Sequence, residues 1–351
     1  MVKLIRIPAY DWHQQKGAAF EDYFGCEVPS HYGNFEQEYR QLRAGSAIRD
    51  VSFFGKIKVT GRDRIRFMQG MLTNDVKALE PGNGMFAMFL DVKGHIQADM
   101  KVYAFPDHLL LVLQHYITEK LMAGLDRYIM SEDVRLHDVT SNYGMVQILG
   151  PAADQFLRAI GVIQFPEVHY AHNTIDIAGV AAFVILLPAG FALLVPDPDQ
   201  NLVKVLDALD GPWIGARAFE TFRIESGIPL MHRDMDESNF PQECALNAGL
   251  NFQKGCYLGQ ETMARIDAQG HVNRRLMGFA SSASVVPGDK IFKDSKEVGR
   301  ITSTTHSLLL QTPFSLGFIR REFALEDQRV EIGDQNISAT VRSLPLRQSD
   351  R

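Results

Sequence analysis

Cysteine is scarce in this chain: Cys26, Cys244 and Cys256 are the three in 351 residues. None lies in a C-x-x-C pair, and an odd number in a long chain argues against a disulfide framework and for a reducing compartment. Three thiols also fall short of the four that an all-cysteine zinc or iron–sulfur site takes from a single chain. Long apolar runs are lacking as well. The longest, Ile177–Leu187, ends at Pro188 and is about strand length, which excludes a transmembrane helix there. No charge of one sign dominates: 36 Lys+Arg against 42 Asp+Glu leave a net charge of −6. That balance speaks against broad, non-specific attraction to nucleic acid or to an anionic membrane surface. Met1–Ile7 is short and mixed, with the character of neither a signal peptide nor a transit peptide. The expectation is a cytoplasmic protein with no nucleic-acid and no membrane partner.

What is present is a globular composition, 46% hydrophobic and 22% charged. The length suits two or three domains at roughly 100–200 residues each. Residues 1–30 carry scattered aromatics without a period and read as an N-terminal arm. Glu36–Ala44 reads as helix and Gly55–Gly61 as an alternating strand. Arg62–Leu72 places Ile65, Met68 and Leu72 on one helical face. Strands at Phe86–Leu90, Ile96–Ala104 and Leu109–Leu113, a helix over Ile117–Ile129 and a strand at Val134–Val139 complete a mixed α+β block. A similar order recurs from Gly144 to Ser226. From Leu276 the texture changes to short β runs split by turns, the pattern of a small barrel. A domain boundary is expected near Arg275.

The chemistry concentrates in Lys254-Gly255-Cys256-Tyr257-Leu258-Gly259-Gln260-Glu261. Two glycines flank the cysteine, which suggests a tight loop. A lysine two residues away would favour the thiolate, the reactive form of the side chain as nucleophile, redox centre or metal ligand. By composition alone a buried, inert cysteine is the commoner outcome. Cys26, beside Glu27 in the arm, is expected to be exposed but not activated, and Cys244 to be slowed by neighbouring carboxylates. Three further segments stand out. Arg223 and Glu225 near a helix end make either a site or an exposed charge pair worth little. Asp99, inside a strand where Asp is disfavoured, either lines a cleft or sits at an edge in solvent. Asp236–Glu243 is a polar loop.

At this point the residues carry a resemblance. KGCYLGQE resembles the K-G-C-[YF]-x-G-Q-E signature of the YgfZ family, folate-binding proteins related to the glycine-cleavage T-protein. Val59–Val76 resembles the family stretch TGxDRxxFLQGxLTNDV, Phe89–Tyr103 its LxxxGxIxxD hairpin, and Arg223–Glu243 its RIExGxP…PQE segment. GRITS at Gly299–Ser303 and the closing VRSLPL resemble the T-protein C-terminal barrel. The resemblance spans about residues 31–346. It implies an α+β fold of the T-protein type, a three-lobed ring. Its two folate-binding lobes interleave in sequence, approximately 31–54 with 140–235 and 55–139 with 236–275. A C-terminal β-barrel over 276–351 closes the ring.

The resemblance further implies tetrahydrofolate or a one-carbon derivative as cofactor. Cys256 and Asp99 become the candidate catalytic residues. Asp99, Arg223, Glu243, Lys254, Tyr257, Gln260 and Arg265 become candidates for holding folate, with no resident metal. Lys254, Arg265, Arg274 and Arg275 would supply a basic wall for the folate glutamate tail, Arg275 being the one best read as a surface residue. T-proteins anchor the pterin with a glutamate after a G-[YF] pair. Here the corresponding stretch is Gly190-Phe191-Ala192, so other acceptors are required. Three functions follow. The first is a thiol-dependent, folate-binding factor in iron–sulfur cluster assembly or repair, with iron–sulfur client or assembly proteins as partners. The second is a folate-dependent aminomethyltransferase or demethylase. The third is a non-catalytic, folate-sensing scaffold.

Overall fold

The computed structural model describes residues 4–346. The outermost residues of the expected arm and barrel, 1–3 and 347–351, lie outside the described residues. The chain divides into two compact units. One comprises Met1–Phe89, Ala98–Phe219 and Gly249–Leu258; the other comprises Leu90–Gln97, Glu220–Ala248 and Gly259–Arg351.

The first unit opens with β1 (Ile5–Arg6), α1 (Tyr10–Gln15), β2 (Ala19–Tyr23) and β3 (Cys26–His31), whose strands form a small sheet in the order β1-β3-β2. The segment expected as an arm is therefore ordered, and α1 ties it down. Ala9 and Trp12 enter a hydrophobic core, and the Trp12 indole N–H donates to Asp207 at 2.8 Å. Next comes α2 (Phe35–Ala44), capped by the Asn34 side chain, which accepts from the backbone N–H groups of Glu36 and Gln37. β4 (Ala47–Asp50) follows, buried throughout.

The chain then builds a complete sheet before returning to β4. β5 (Gly55–Thr60), α3 (Arg64–Met71), β6 (Gly84–Leu90), β7 (Ile96–Ala104), β8 (Leu109–Leu113), α4 (Thr118–Asp126) and β9 (Arg135–Asp138) give a sheet of order β6-β7-β8-β5-β9. β10 (Tyr143–Leu149), α5 (Ala153–Ala159), β11 (His172–Ile177), β12 (Val180–Leu187), β13 (Gly190–Pro196) and α6 (Pro198–Ala208) then complete a second sheet around β4, in the order β11-β12-β13-β10-β4. Because β4 precedes the first sheet and β10 follows it, the two α+β lobes interleave.

Strand alternation sorts the faces of this second sheet. Val146, Ile148, Phe191, Leu193 and Val195 join Leu157 of α5 and Leu202, Val205 and Leu206 of α6 in the core. Gln147, Ala192 and Leu194 therefore take the opposite face. Phe183 pairs with Leu194 and shares that face, and its ring meets Phe105, just after β7, edge-on at 5.1 Å.

α7 (Ala216–Ser226) precedes the polar segment 227–248. The second unit then contains α8 (Gln260–Gln269) and six strands: β14 (Arg274–Ser281), β15 (Lys290–Lys293), β16 (Lys296–Ser307), β17 (Thr312–Arg320), β18 (Arg329–Ile332) and β19 (Ile337–Arg342). The strands close into a barrel in the order β14-β17-β16-β15-β18-β19 around Phe279, Ile291, Ile301, Ile319, Ile332 and Val341. α8 is not among the elements expected from the sequence. Its signals are Met263 and Ile266, buried three residues apart, and Gly270 closing it in the left-handed region at φ 69°. No helix of the described residues is long and apolar enough to cross a membrane.

Candidate functional site

The cysteine loop is laced to the segment that follows α3. The Thr73 hydroxyl donates to the Gly249 carbonyl at 2.6 Å and accepts from the Met88 N–H at 2.9 Å. The Asn251 N–H donates to Thr73 O at 3.0 Å, and the Leu258 N–H to Gly70 O at 3.0 Å. Lys254 completes the attachment. Its Nζ donates to the carbonyls of Gln69 (2.7 Å), Leu72 (2.6 Å) and Asn74 (2.9 Å). An ammonium has three N–H donors, and all three are engaged with backbone. Burial pushes the Lys254 amine down to about 8. The geometry corrects two expectations for this residue. It neither reaches toward the thiol nor keeps a free donor for a folate carboxylate; it anchors the loop.

Cys256 stands exposed beyond that anchor, while Cys26 and Cys244 are buried. The expectation of an exposed Cys26 fails because β3 turns its side chain inward, where burial raises the thiol to about 11. Tyr257 is buried, with the Lys254 ammonium 5.0 Å from its ring centroid. Its hydroxyl is buried without a hydrogen-bond partner, and burial raises the phenol to about 12.

Asp99 lies on β7, where alternation leaves it, Lys101 and Tyr103 on one face and sends Ala98, Met100 and Val102 into the core. Among the described residues no other side chain hydrogen-bonds its carboxylate. Burial raises the carboxyl above the ordinary range, and Lys101 pulls it back. The Tyr103 hydroxyl, on the same face, is buried and unpartnered. This strand thus offers a carboxylate, a cation and a phenol to one side.

The remaining candidates belong to the second unit. Arg223 is fully buried and is neither a surface pair nor a ligand-facing cation. Its Nε and Nη2 donate to Glu220 at 2.7 and 2.6 Å, its Nη1 to Asp234 at 2.7 Å and to Ile228 O at 3.1 Å, and its Nη2 also to Ser303 Oγ at 2.8 Å. Five bonds fill the guanidinium, and they bind α7, the 228–234 turn and barrel strand β16 together. That role replaces the folate contact expected of it. Glu243 is buried, accepts from the Phe240 N–H and the Asn239 amide, and pairs with Arg274 at 3.0 Å. Arg274 also donates to Ser238 O at 3.0 Å. Both residues of this pair thus hold the 238–243 turn, and the expected basic wall loses Arg274 as well as Lys254.

Gln260 and Glu261 form the first turn of α8, with Gln260 half-buried; Arg265 and Arg275 are exposed. The signature glycine Gly259 has φ 82°, and a side chain there would meet Asp91 O at 2.6 Å. The glycine is needed so that α8 can start against the β6–β7 hairpin turn. Of the expected constellation, Asp99, Lys254, Cys256 and Tyr257 thus lie in one unit and Arg223, Glu243, Gln260 and Arg265 in the other.

Sequence reasoning missed a buried polar cluster in the first unit. His13 Nε2 lies 2.8 Å from Asp50 Oδ2, and Tyr32 Oη lies 2.7 Å from His13 Nδ1. Burial works to raise the Asp50 carboxyl, yet His13 and Ser52 hold it below the usual range. No local spacing signals this cluster, because His13 lies 19 residues from Tyr32 and 37 from Asp50.

Residues 9–254 match the model of the GCVT N-terminal domain, and residues 274–347 that of the glycine cleavage T-protein C-terminal barrel domain. The chain belongs to the glycine-cleavage T-protein family. An aminomethyltransferase of Desulfitobacterium hafniense is 25% identical over 361 residues, covering 98% of each chain. One from Thermosipho melanesiensis is 27% identical over 350 residues, covering 97% of this chain and 96% of the relative. A putative chloroplastic transferase of Arabidopsis thaliana is 27% identical over 325 residues, covering 91% and 75%. The crystal structure of glycine cleavage system aminomethyltransferase T from Bartonella henselae matches with a TM-score of 0.86 over 98% of both chains at 20% identity. The T-protein fold, two α+β lobes and a six-stranded barrel, is the fold of this chain.

Proposed function

We propose that this T-protein relative binds tetrahydrofolate in its first unit and works through the exposed thiol of Cys256, as a YgfZ-like factor serving iron–sulfur proteins. The family is one of tetrahydrofolate users. A pterin carries ring N–H and amino donors beside carbonyl and ring-nitrogen acceptors. The first unit holds buried polar atoms without protein partners, Gln147 Oε1, Tyr103 Oη and Tyr257 Oη, so the residues present suit a polar ring. When bound, tetrahydrofolate supplies an amine nitrogen that carries a one-carbon unit. Asp99, with a carboxyl raised by burial, is suited to hold or move a proton beside that amine.

The observation that carries the thiol reading is Cys256 itself. It is the exposed cysteine of the three, on a loop fixed by Lys254. One exposed thiol per chain means that an iron–sulfur client would bring the remaining ligands itself. A second reading, aminomethyl transfer to tetrahydrofolate, has the more direct support from the names of the relatives. Against it stands Ala192, where a pterin-anchoring carboxylate is expected. A third reading, a folate-sensing scaffold, needs no thiol.

Complementation of a strain lacking the family member tests these readings, scoring iron–sulfur enzyme activity with wild type and Cys256→Ser. The thiol reading expects Cys256→Ser to fail and wild type to form no methylene-tetrahydrofolate from an aminomethylated lipoyl carrier. Formation of that product would instead establish the transferase, and full rescue by Cys256→Ser would leave the scaffold.

A further inference from the structure

We propose that Gln147 reads the lactam edge of the bound pterin; the assignment rests on the folate reading above and gives it a specific residue. Gln147 Oε1 is buried and has no hydrogen-bond partner. A buried carbonyl oxygen is costly unless a donor meets it, so this one calls for a donor from outside the chain. Gln147 sits on β10 in register with Ala192 of β13 on one side and Arg49 of β4 on the other. Residues directly opposite in a sheet point to the same face. The three therefore form a row on the face turned away from the core under α5 and α6.

Beside Gln147, Ala192 is fully buried and ends at Cβ, so it offers the amide no polar side-chain partner. Arg49 stacks on Phe219, with its guanidinium 3.9 Å from the ring centroid. The same face carries Phe183, in contact with Phe105 at the end of the strand that bears Asp99 and Tyr103. The unpartnered amide and the raised carboxylate thus belong to sheets that meet within one compact unit.

The chemistry of a carboxamide sets which edge it takes. A carboxylate only accepts and suits two donors side by side, such as the ring N3–H and the 2-amino group. A carboxamide sets an accepting oxygen beside a donating NH2 group. A 2-amino-4-oxopteridine offers two such pairs, N3–H with the C4 carbonyl and the 2-amino N–H with N1; Gln147 is assigned the first, in which N3–H donates to Oε1 and the C4 carbonyl accepts from Nε2. This is the reciprocal pairing by which Gln reads the edge of adenine. The 2-amino group is then left outside the pair, so its removal should be tolerated.

Isothermal titration tests this with (6S)-5-formyltetrahydrofolate as the probe, and with a 2-amino-4-oxoquinazoline folate analogue and its 2-desamino counterpart. Gln147→Leu should weaken 5-formyltetrahydrofolate on the order of tenfold or more. Its melting temperature without ligand should be unchanged or higher, since the variant removes an unpartnered oxygen. Loss of the 2-amino group should cost wild type less than about threefold. Wild-type affinity in Gln147→Leu overturns the assignment, as does a 2-amino dependence as large as the effect of Gln147→Leu. A wild-type protein that binds none of the probes overturns the folate reading itself, a result distinct from the other two.

Discussion

The Nζ of Lys254 donates to the carbonyl of Leu72 at 2.6 Å, across 182 residues of chain. It joins the two most recognisable stretches of the sequence, LTNDV and KGCYLGQE. Leu72 ends α3 and turns into an extended conformation, ψ 153°, and the carbonyls freed at that helix end are among those Lys254 satisfies. The lysine of the signature is thus a clamp on a helix terminus, and the cysteine two residues on is displayed by it.

Lys254→Met should keep the aliphatic packing and strand three carbonyls. Unmet buried acceptors cost roughly 1–3 kcal/mol, so the variant should unfold at lower denaturant concentration by about that amount. Hydrogen exchange in residues 249–258 should rise more than in the barrel. Unchanged exchange in that loop would remove the clamp role.

Arg223 makes a stronger test of packing. Arg223→Ala leaves Asp234, which is fully buried at its side chain, without its cation. Breaking a buried pair by removing one partner costs roughly 3–5 kcal/mol. Equilibrium denaturation should show a loss of that size, while Arg265→Ala, at an exposed position, should change stability by less than about 0.5 kcal/mol. A loss below about 1 kcal/mol at Arg223 would mean that the buried network is not what holds α7 to β16.

These residues show where the sequence was legible and where it was not. Elements with a clear period, such as α2 and β5, could be read directly, because apolar residues recurring at the helical or strand period report a buried face. The interleaving of β4 with β10 could not, since pairing across nearly a hundred residues leaves no local trace; the motif resemblance supplied it. Side-chain direction misled most. Lys254 is near Cys256 in sequence, but its stem runs back to α3. Arg223 and Glu220 have the i, i+3 spacing of a surface pair, yet they are partners in a buried network. Gln147 drew no attention as a single polar residue in a strand, and only its unpartnered oxygen and the register with Ala192 single it out.

Asp99 should carry a stability cost that depends on pH. Its carboxyl is raised by burial, so the native state holds its proton more tightly than the unfolded chain does. Stability from this group is then present at low pH and is lost as pH rises through the native value. Asp99→Asn removes the charge. It should stabilise the protein at pH 8 by about 0.5–1 kcal/mol, with the gain shrinking toward pH 4. Denaturant melts at both pH values check this, alongside 5-formyltetrahydrofolate titration, in which the variant should bind differently from wild type. A destabilised variant at pH 8 would show that the native state favours the charged form.

Cys256 should be the single thiol that reacts in the folded protein. It is exposed, whereas Cys26 is 2% and Cys244 0% exposed. Access separates the three, since alkylation needs both a thiolate and a path to it. For Cys26 burial adds a second barrier by lifting the thiol to about 11, so little thiolate forms near neutral pH. The same shift has a sign for stability. The unfolded chain loses the Cys26 proton first, so stability should fall as pH rises from the ordinary thiol range through about 11. Mass-resolved iodoacetamide labelling over a short time course at pH 7.5 should give one adduct, on Cys256. Cys26 and Cys244 should label only in denaturant. Cys256→Ser should abolish the native adduct and change stability by less than about 0.5 kcal/mol, as expected at an exposed position. Labelling of Cys26 or Cys244 at a rate comparable with Cys256 in the native protein would sink the assignment. So would a Cys256→Ser variant that loses stability on the scale of a core substitution, because the thiol would then be a packing element and not a displayed group.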